Sequence, residues 1–151
     1  MAGRGRTKFG SVVQVPLPDG RFGYGVVLEE PLVAFVDHHD AGRNVDVRAI
    51  GTIARAFRIW VHKVPLSRGL WPVVGHIEPT AEDRAPVTFF KKDPLKGTFS
   101  LVVAGQATPA TLEQCQGVER AAVWEAQHVV DRLVDHFAGR PNRWVEALRA
   151  R

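Results

Sequence analysis

Residues 12–28, VVQVPLPDGRFGYGVVL, decide the fold. Two apolar runs, 12–17 and 21–28, meet at Leu17-Pro18-Asp19-Gly20-Arg21. Pro18 pre-sets a turn dihedral, the Asp19 carboxylate can bond its own backbone, and Gly20 can take positive φ. The segment therefore predicts a β-hairpin. Gly23 and Gly25 flank Tyr24, and glycines inside a strand mark a bulge or a close backbone approach.

Reading outward, Glu29-Glu30-Pro31 turns the chain into a third strand over 32–37. Residues 38–45 are polar and read as a loop, and 47–54 fit either a short helix or an extended piece. FRIWV at 57–61 has strand composition. Further short strands are expected at 73–77, 87–90 and 99–103, with loops at 65–72, 79–86 and 91–97. Short strands at near-regular spacing between Pro/Gly turns predict a curved antiparallel sheet or a small SH3-like barrel.

The pattern changes after Thr108. Thr111 and Gln114 have capping-box spacing, and Gly117 interrupts. Residues 118–137 then carry a helical stripe of Val118, Ala122, Ala126, Val129, Leu133 and Phe137, widened by Val123, Val130 and Val134. This predicts a long C-terminal helix covering the sheet. Gly139 suits its end, Pro141 the first turn of the next, and 143–150 a short terminal helix presenting Trp144, Val145 and Leu148. The expected class is α+β, with a basic flexible tail at 1–8, a β-rich domain at 9–107, and a helical segment at 108–151 packed on that domain.

A chain of 151 residues, 45% hydrophobic with four Trp, buries a core without a metal or disulfide staple. Cys115 is the only cysteine, which fits a reducing compartment. The basic start leads into no apolar run, and no stretch has the length of a membrane span, so a cytoplasmic protein without a membrane partner is expected. The net charge of +4 arises in residues 1–75, which carry 10 Lys/Arg against 6 Asp/Glu, while 76–151 carry 10 against 10. No dense basic run with interleaved aromatics accompanies it, so nucleic acid is a permitted partner rather than a favoured one.

Trp124 breaks the helical stripe. On the wheel it sits opposite the apolar residues, among Arg120, His128, Asp131 and Asp135. A large aromatic beside an arginine is the composition of an interface anchor, and packing of Trp144 on Trp124 is the structural alternative. The candidate partner-binding residues are Trp124, Arg120 and His128, with the Pro18-Asp19-Gly20 turn second. His38, His39 and Asp40 are the densest potential metal ligands, but adjacent histidines on a strand point to opposite faces. No zinc-type spacing, nucleophile elbow or phosphate loop is present. Cys115, beside Leu112 and Val118, reads as a buried structural thiol. No catalytic residue, metal, cofactor or small-molecule ligand is assigned.

Residues 10–27 resemble the N-terminal signature of the immunity protein 26 family: a strand, a polar turn, then an aromatic–glycine strand. Trp71-Pro72-Val73-Val74-Gly75 and Pro86-Val87-Thr88-Phe89 are similar to its second half. The resemblance spans about 9–103, with Ser11 where an acidic residue is expected. It implies a non-enzymatic antidote of a bacterial polymorphic-toxin system, which binds a cognate toxin domain and blocks it. The alternatives are a nucleic-acid-binding barrel and a small metal-dependent hydrolase built on 38–46. Antidotes to nucleases are often acidic, and this chain is basic.

Overall fold

The computed structural model describes residues 7–151; most of the tail expected at 1–8 lies outside them. The opening hairpin is β1 (Ser11–Pro16) and β2 (Phe22–Val27), followed by β3 (Leu32–Asp40), α1 (Val47–Gly51), β4 (Arg55–Val61), α2 (Val64–Ser67), β5 (Val73–His76) and α3 (Ala81–Arg84). A second group is β6 (Thr88–Lys92), β7 (Phe99–Val103), β8 (Gln106–Ala110) and α4 (Leu112–Cys115). Two strands of two residues follow, β9 (Glu119–Arg120) and β10 (Val123–Trp124), and then α5 (Ala126–Ala138) and α6 (Arg143–Ala147).

These strands form two mixed sheets rather than a barrel. The six-stranded sheet runs β10, β4, β3, β2, β1, β5, and the four-stranded sheet runs β8, β7, β6, β9. Neither closes, so the SH3-like barrel expectation is replaced by two open sheets. No helix among the described residues is long and apolar enough to cross a membrane.

The large sheet is covered on both sides, and its sequence shows why. Along β1 to β4, alternate residues point to opposite faces. Val13, Val15, Val33, Phe35, Phe57, Ile59 and Val61 form one core with Val129, Val130 and Leu133 of α5. Val12, Tyr24, Val26, Ala34 and Val36 form the other with Ile50 of α1 and Ile77. The Gly23–Tyr24–Gly25 motif fits this division. A Cβ at Gly23 would stand 3.3 Å from Leu133 Cδ1, and one at Gly25 would stand 2.9 Å from Val33 Cγ1. The glycines therefore open the α5 side of β2 while Tyr24 fills the other side, and the β2–β3 register shifts between Gly23 and Gly25.

Several expectations change. The third strand continues through His38, His39 and Asp40 instead of ending at 37, because the pairings Phe22↔Asp40 and Gly23↔His39 extend it. Residues 79–86 hold α3, closed by a capping box in which Thr80 and Asp83 bond each other's backbone. The helix expected over 118–137 begins only at Ala126. Upstream, Gly117 takes a left-handed φ of 74°, and the backbone is claimed by the sheets: Ala121 N donates to Phe90 O and His62 N donates to Trp124 O, each at 2.9 Å. Val118 joins the small core of Phe90 and Cys115, and Val123, expected in the stripe, is 53% exposed. The end of α5 is as expected, with Gly139 left-handed at φ 68°. Asn142, not Pro141, begins α6, its side chain accepting from Trp144 N and Val145 N.

One buried ion pair ties α1, β4 and α3 together. Arg55 Nε and Nη2 donate to the two Asp83 carboxylate oxygens at 2.8 and 2.7 Å, and Arg55 Nη1 donates to Gly51 O and Ile53 O. The two side chains are 3% and 0% exposed. Burial by itself pushes the Asp83 carboxyl up; the bonds from Arg55 and Thr80 outweigh it and hold the carboxyl below its usual range. The pair's stabilisation is therefore whole above the unfolded value of about 3.9 and is lost as pH falls through the lower folded value. We predict that Asp83→Ala lowers stability at neutral pH by about 3–5 kcal/mol, because it strands a buried guanidinium. Urea denaturation measures this, and the difference from wild type should narrow as pH falls below about 4. A loss under about 1 kcal/mol would show the pair to be unimportant.

Candidate functional site

The candidate partner-binding residues fall partly in one place, a cleft of about 450 Å³ between the end of the chain and the segment before α5. Its geometry starts with the Thr111–Gln114 capping box of α4, which is formed as the spacing predicts. Gly117 then reverses the chain. β9 pairs in parallel with β6, placing Glu119 opposite Phe89 and Arg120 opposite Phe90. β10 pairs in parallel with β4, placing Trp124 opposite Val61. The opposite wall is Val145, Leu148, Arg149 and Ala150.

Trp124 lines this cleft as its floor, 3% exposed and packed in the main core. It stands on a strand, not on the polar face of a helix, so the wheel that set it against Asp131 and Asp135 does not apply. Its indole Nε1 is buried without a hydrogen-bond partner among the described residues. The Arg132 guanidinium of α5 lies 3.8 Å from the Phe57 ring centre and 5.0 Å from that of Trp124. Arg132 also donates to both carboxylate oxygens of Glu119, which occupies that carboxylate. Arg120 lies 5.3 Å over the Phe90 ring. It makes no ion pair or side-chain hydrogen bond among the described residues.

His128 is elsewhere. Its ring stacks on Trp144 at 3.6 Å, while Trp144 Nε1 donates to Asp131 at 3.0 Å. That hydrogen bond holds the Asp131 carboxyl below its usual range. The wheel placed His128 beside Trp124; its aromatic neighbour is Trp144 instead. The Pro18-Asp19-Gly20 turn is formed and exposed. Gly20 has φ 81°, and Asp19 Oδ1 accepts from Arg21 N at 3.0 Å.

His38, His39 and Asp40 are divided by the strand they share. His38 bonds Asp40 at 3.0 Å on the Tyr24 side. His39 stacks on Phe137 of α5 at 4.2 Å, on the other face. The Asp40 oxygens are already engaged by Tyr24 Oη at 2.6 Å, by Gly42 N and by His38. Burial, with help from Asp40, pushes the Tyr24 hydroxyl up to about 12. Burial of His39 lowers its pKa, favouring the neutral ring. No group of three potential metal ligands occurs among the described residues. Cys115 is fully buried, and burial raises its thiol pKa.

The sequence reading missed the other concave surface. Clefts of about 690 and 550 Å³ lie beside the β2–β3 turn and share Phe9, Leu28, Glu29, Glu30, Pro31 and Leu32. Phe9 is 42% exposed there. It also missed Arg132. A cation one position from Leu133 reads as solvated surface, and nothing local signals a bond to Glu119 thirteen residues earlier.

The C-terminal cleft offers hydrogen-bond donors and apolar walls, the chemistry of a recognition surface. The chain belongs to the immunity protein 26 family, which residues 8–101 match. The C-terminal cleft lies beyond that match, whereas the clefts beside the β2–β3 turn lie almost wholly within it. No curated protein and no solved structure matched the chain.

The position of Trp124 separates two substitutions. Trp124→Ala empties a core site and should cost about 3–5 kcal/mol. Trp124→Phe keeps most of the packing and removes an unpaired buried donor, so it should change stability by less than about 1.5 kcal/mol. Urea denaturation of both variants checks this, and equal losses would contradict it.

Proposed function

We propose that this chain is a non-enzymatic immunity protein that binds the toxic domain of a cognate bacterial toxin in the cytoplasm and neutralises it by stoichiometric occlusion. Membership of the immunity protein 26 family over residues 8–101 carries the reading. The accessible candidate contacts are Arg120 at the C-terminal cleft, held over the Phe90 ring, and the Pro18-Asp19-Gly20 turn, with Trp124 buried in the same cleft. A net charge of +4 favours capture of an acidic partner face and speeds the encounter before the toxin acts. Hydrolysis at His38, His39 and Asp40 is the weaker reading, because the two imidazoles stand on opposite faces of β3.

Co-expression tests this function. The toxin domain encoded beside this gene is placed under tight control, with and without this protein, and survivors are counted. Survival restored by this protein, with co-purification at one to one, is the expected result. Neither survival nor co-purification would overturn the assignment.

A further inference from the structure

We propose that the C-terminal cleft is a carboxylate-binding site that takes an acidic side chain flanked by aliphatic residues from the toxin partner. The identity of the partner rests on the function proposed above; the chemistry of the cleft does not. Glu119 is the one carboxylate lining the cleft, and Arg132 engages both its oxygens. Arg149 at the rim has its own partner, Glu146, at 2.9 Å. Arg120 is left with a guanidinium that no acceptor satisfies among the described residues. It is half-buried against Phe90, where water screens its charge less than at an open surface.

Trp124 lines the same cleft, and its Nε1, which finds no acceptor among the described residues, is itself buried and serves as a reporter of the site rather than as a ligand contact. Val118, Val145 and Leu148 supply apolar wall. An unsatisfied guanidinium beside low-dielectric walls favours an anion, and its fork matches a carboxylate. The walls favour an anion carried between aliphatic neighbours. Nucleic acid fits less well, because it requires a track of basic groups along its backbone and aromatic faces open to bases. Here one guanidinium is without a partner among the described residues, and the aromatic is 3% exposed.

The test is an NMR titration of the full chain, following the Trp124 indole and Arg120 side-chain resonances. The probes are a capped hexapeptide alternating glutamate and leucine, the same peptide with glutamine in place of glutamate, and a single-stranded deoxyoligonucleotide. The glutamate peptide should shift both resonances, and Arg120→Gln should weaken its binding about tenfold. The glutamine peptide should leave them in place. If Arg120→Gln does not fold, wild type decides: the affinity must fall as salt is raised to about 0.5 M.

The proposal is overturned by no shift, by unchanged binding in Arg120→Gln, by equal binding of the glutamine peptide, or by salt-independent affinity. A response to the oligonucleotide without one to the glutamate peptide would overturn it in favour of nucleic acid. No toxin is needed, so failure here leaves the rescue result standing, and failure of rescue leaves this result standing.

Discussion

The six residues from Glu119 to Trp124 are the constraint on which the C-terminal cleft depends. Two strands of two residues each, β9 and β10, attach the segment to both sheets, β9 beside β6 and β10 beside β4. Their backbone bonds are few, and each is worth only about 1 kcal/mol net. The anchoring comes from side chains. Trp124 is sunk into the main core, and Glu119 is held by Arg132 of α5. Without this stitch the cleft would lose both its floor and the wall that carries Arg120.

The opening hairpin reaches the same cleft by a longer route. Because Gly23 carries no side chain on the helix-facing side of β2, Leu133 can approach the sheet closely. Arg132 is its neighbour on α5, so the depth at which the helix docks sets where the guanidinium sits between Phe57 and Trp124. The Phe22–Val27 strand, which lies within the family match, thus also positions a residue at a site outside it. The buried Arg55–Asp83 pair acts on the opposite side, fixing α1 and α3 against the start of β4.

Much of this was legible because it is local. The Pro18-Asp19-Gly20 turn, the strand at FRIWV, the Thr111–Gln114 cap and the Gly139 stop are each written in adjacent residues, and each is present. The helix start was not legible. Residues 118–125 contain two alanines and valines at helical spacing, and a two-residue strand leaves no periodicity to read. Its pairing partners lie about thirty and sixty residues earlier, at Phe90 and Val61. That misreading gave Trp124 a helical polar face it does not have. Arg120 and Trp124 line the same cleft, but Arg120 lies over Phe90, and the guanidinium near the buried Trp124 ring is that of Arg132. The separation of His38 from His39 was legible, since strand alternation alone requires it. That the sheets stay open was not, because it depends on long-range pairing at edges that local patterning does not encode.

The central claim is that the stitched segment and the chain's last turns form the face that meets the partner. Hydrogen exchange, compared for this protein alone and in complex with its toxin domain, tests it most directly. The account predicts new protection concentrated at residues 116–120 and 145–150. Protection that leaves these residues unchanged, such as protection confined to the clefts beside Glu29 and Glu30, would contradict it.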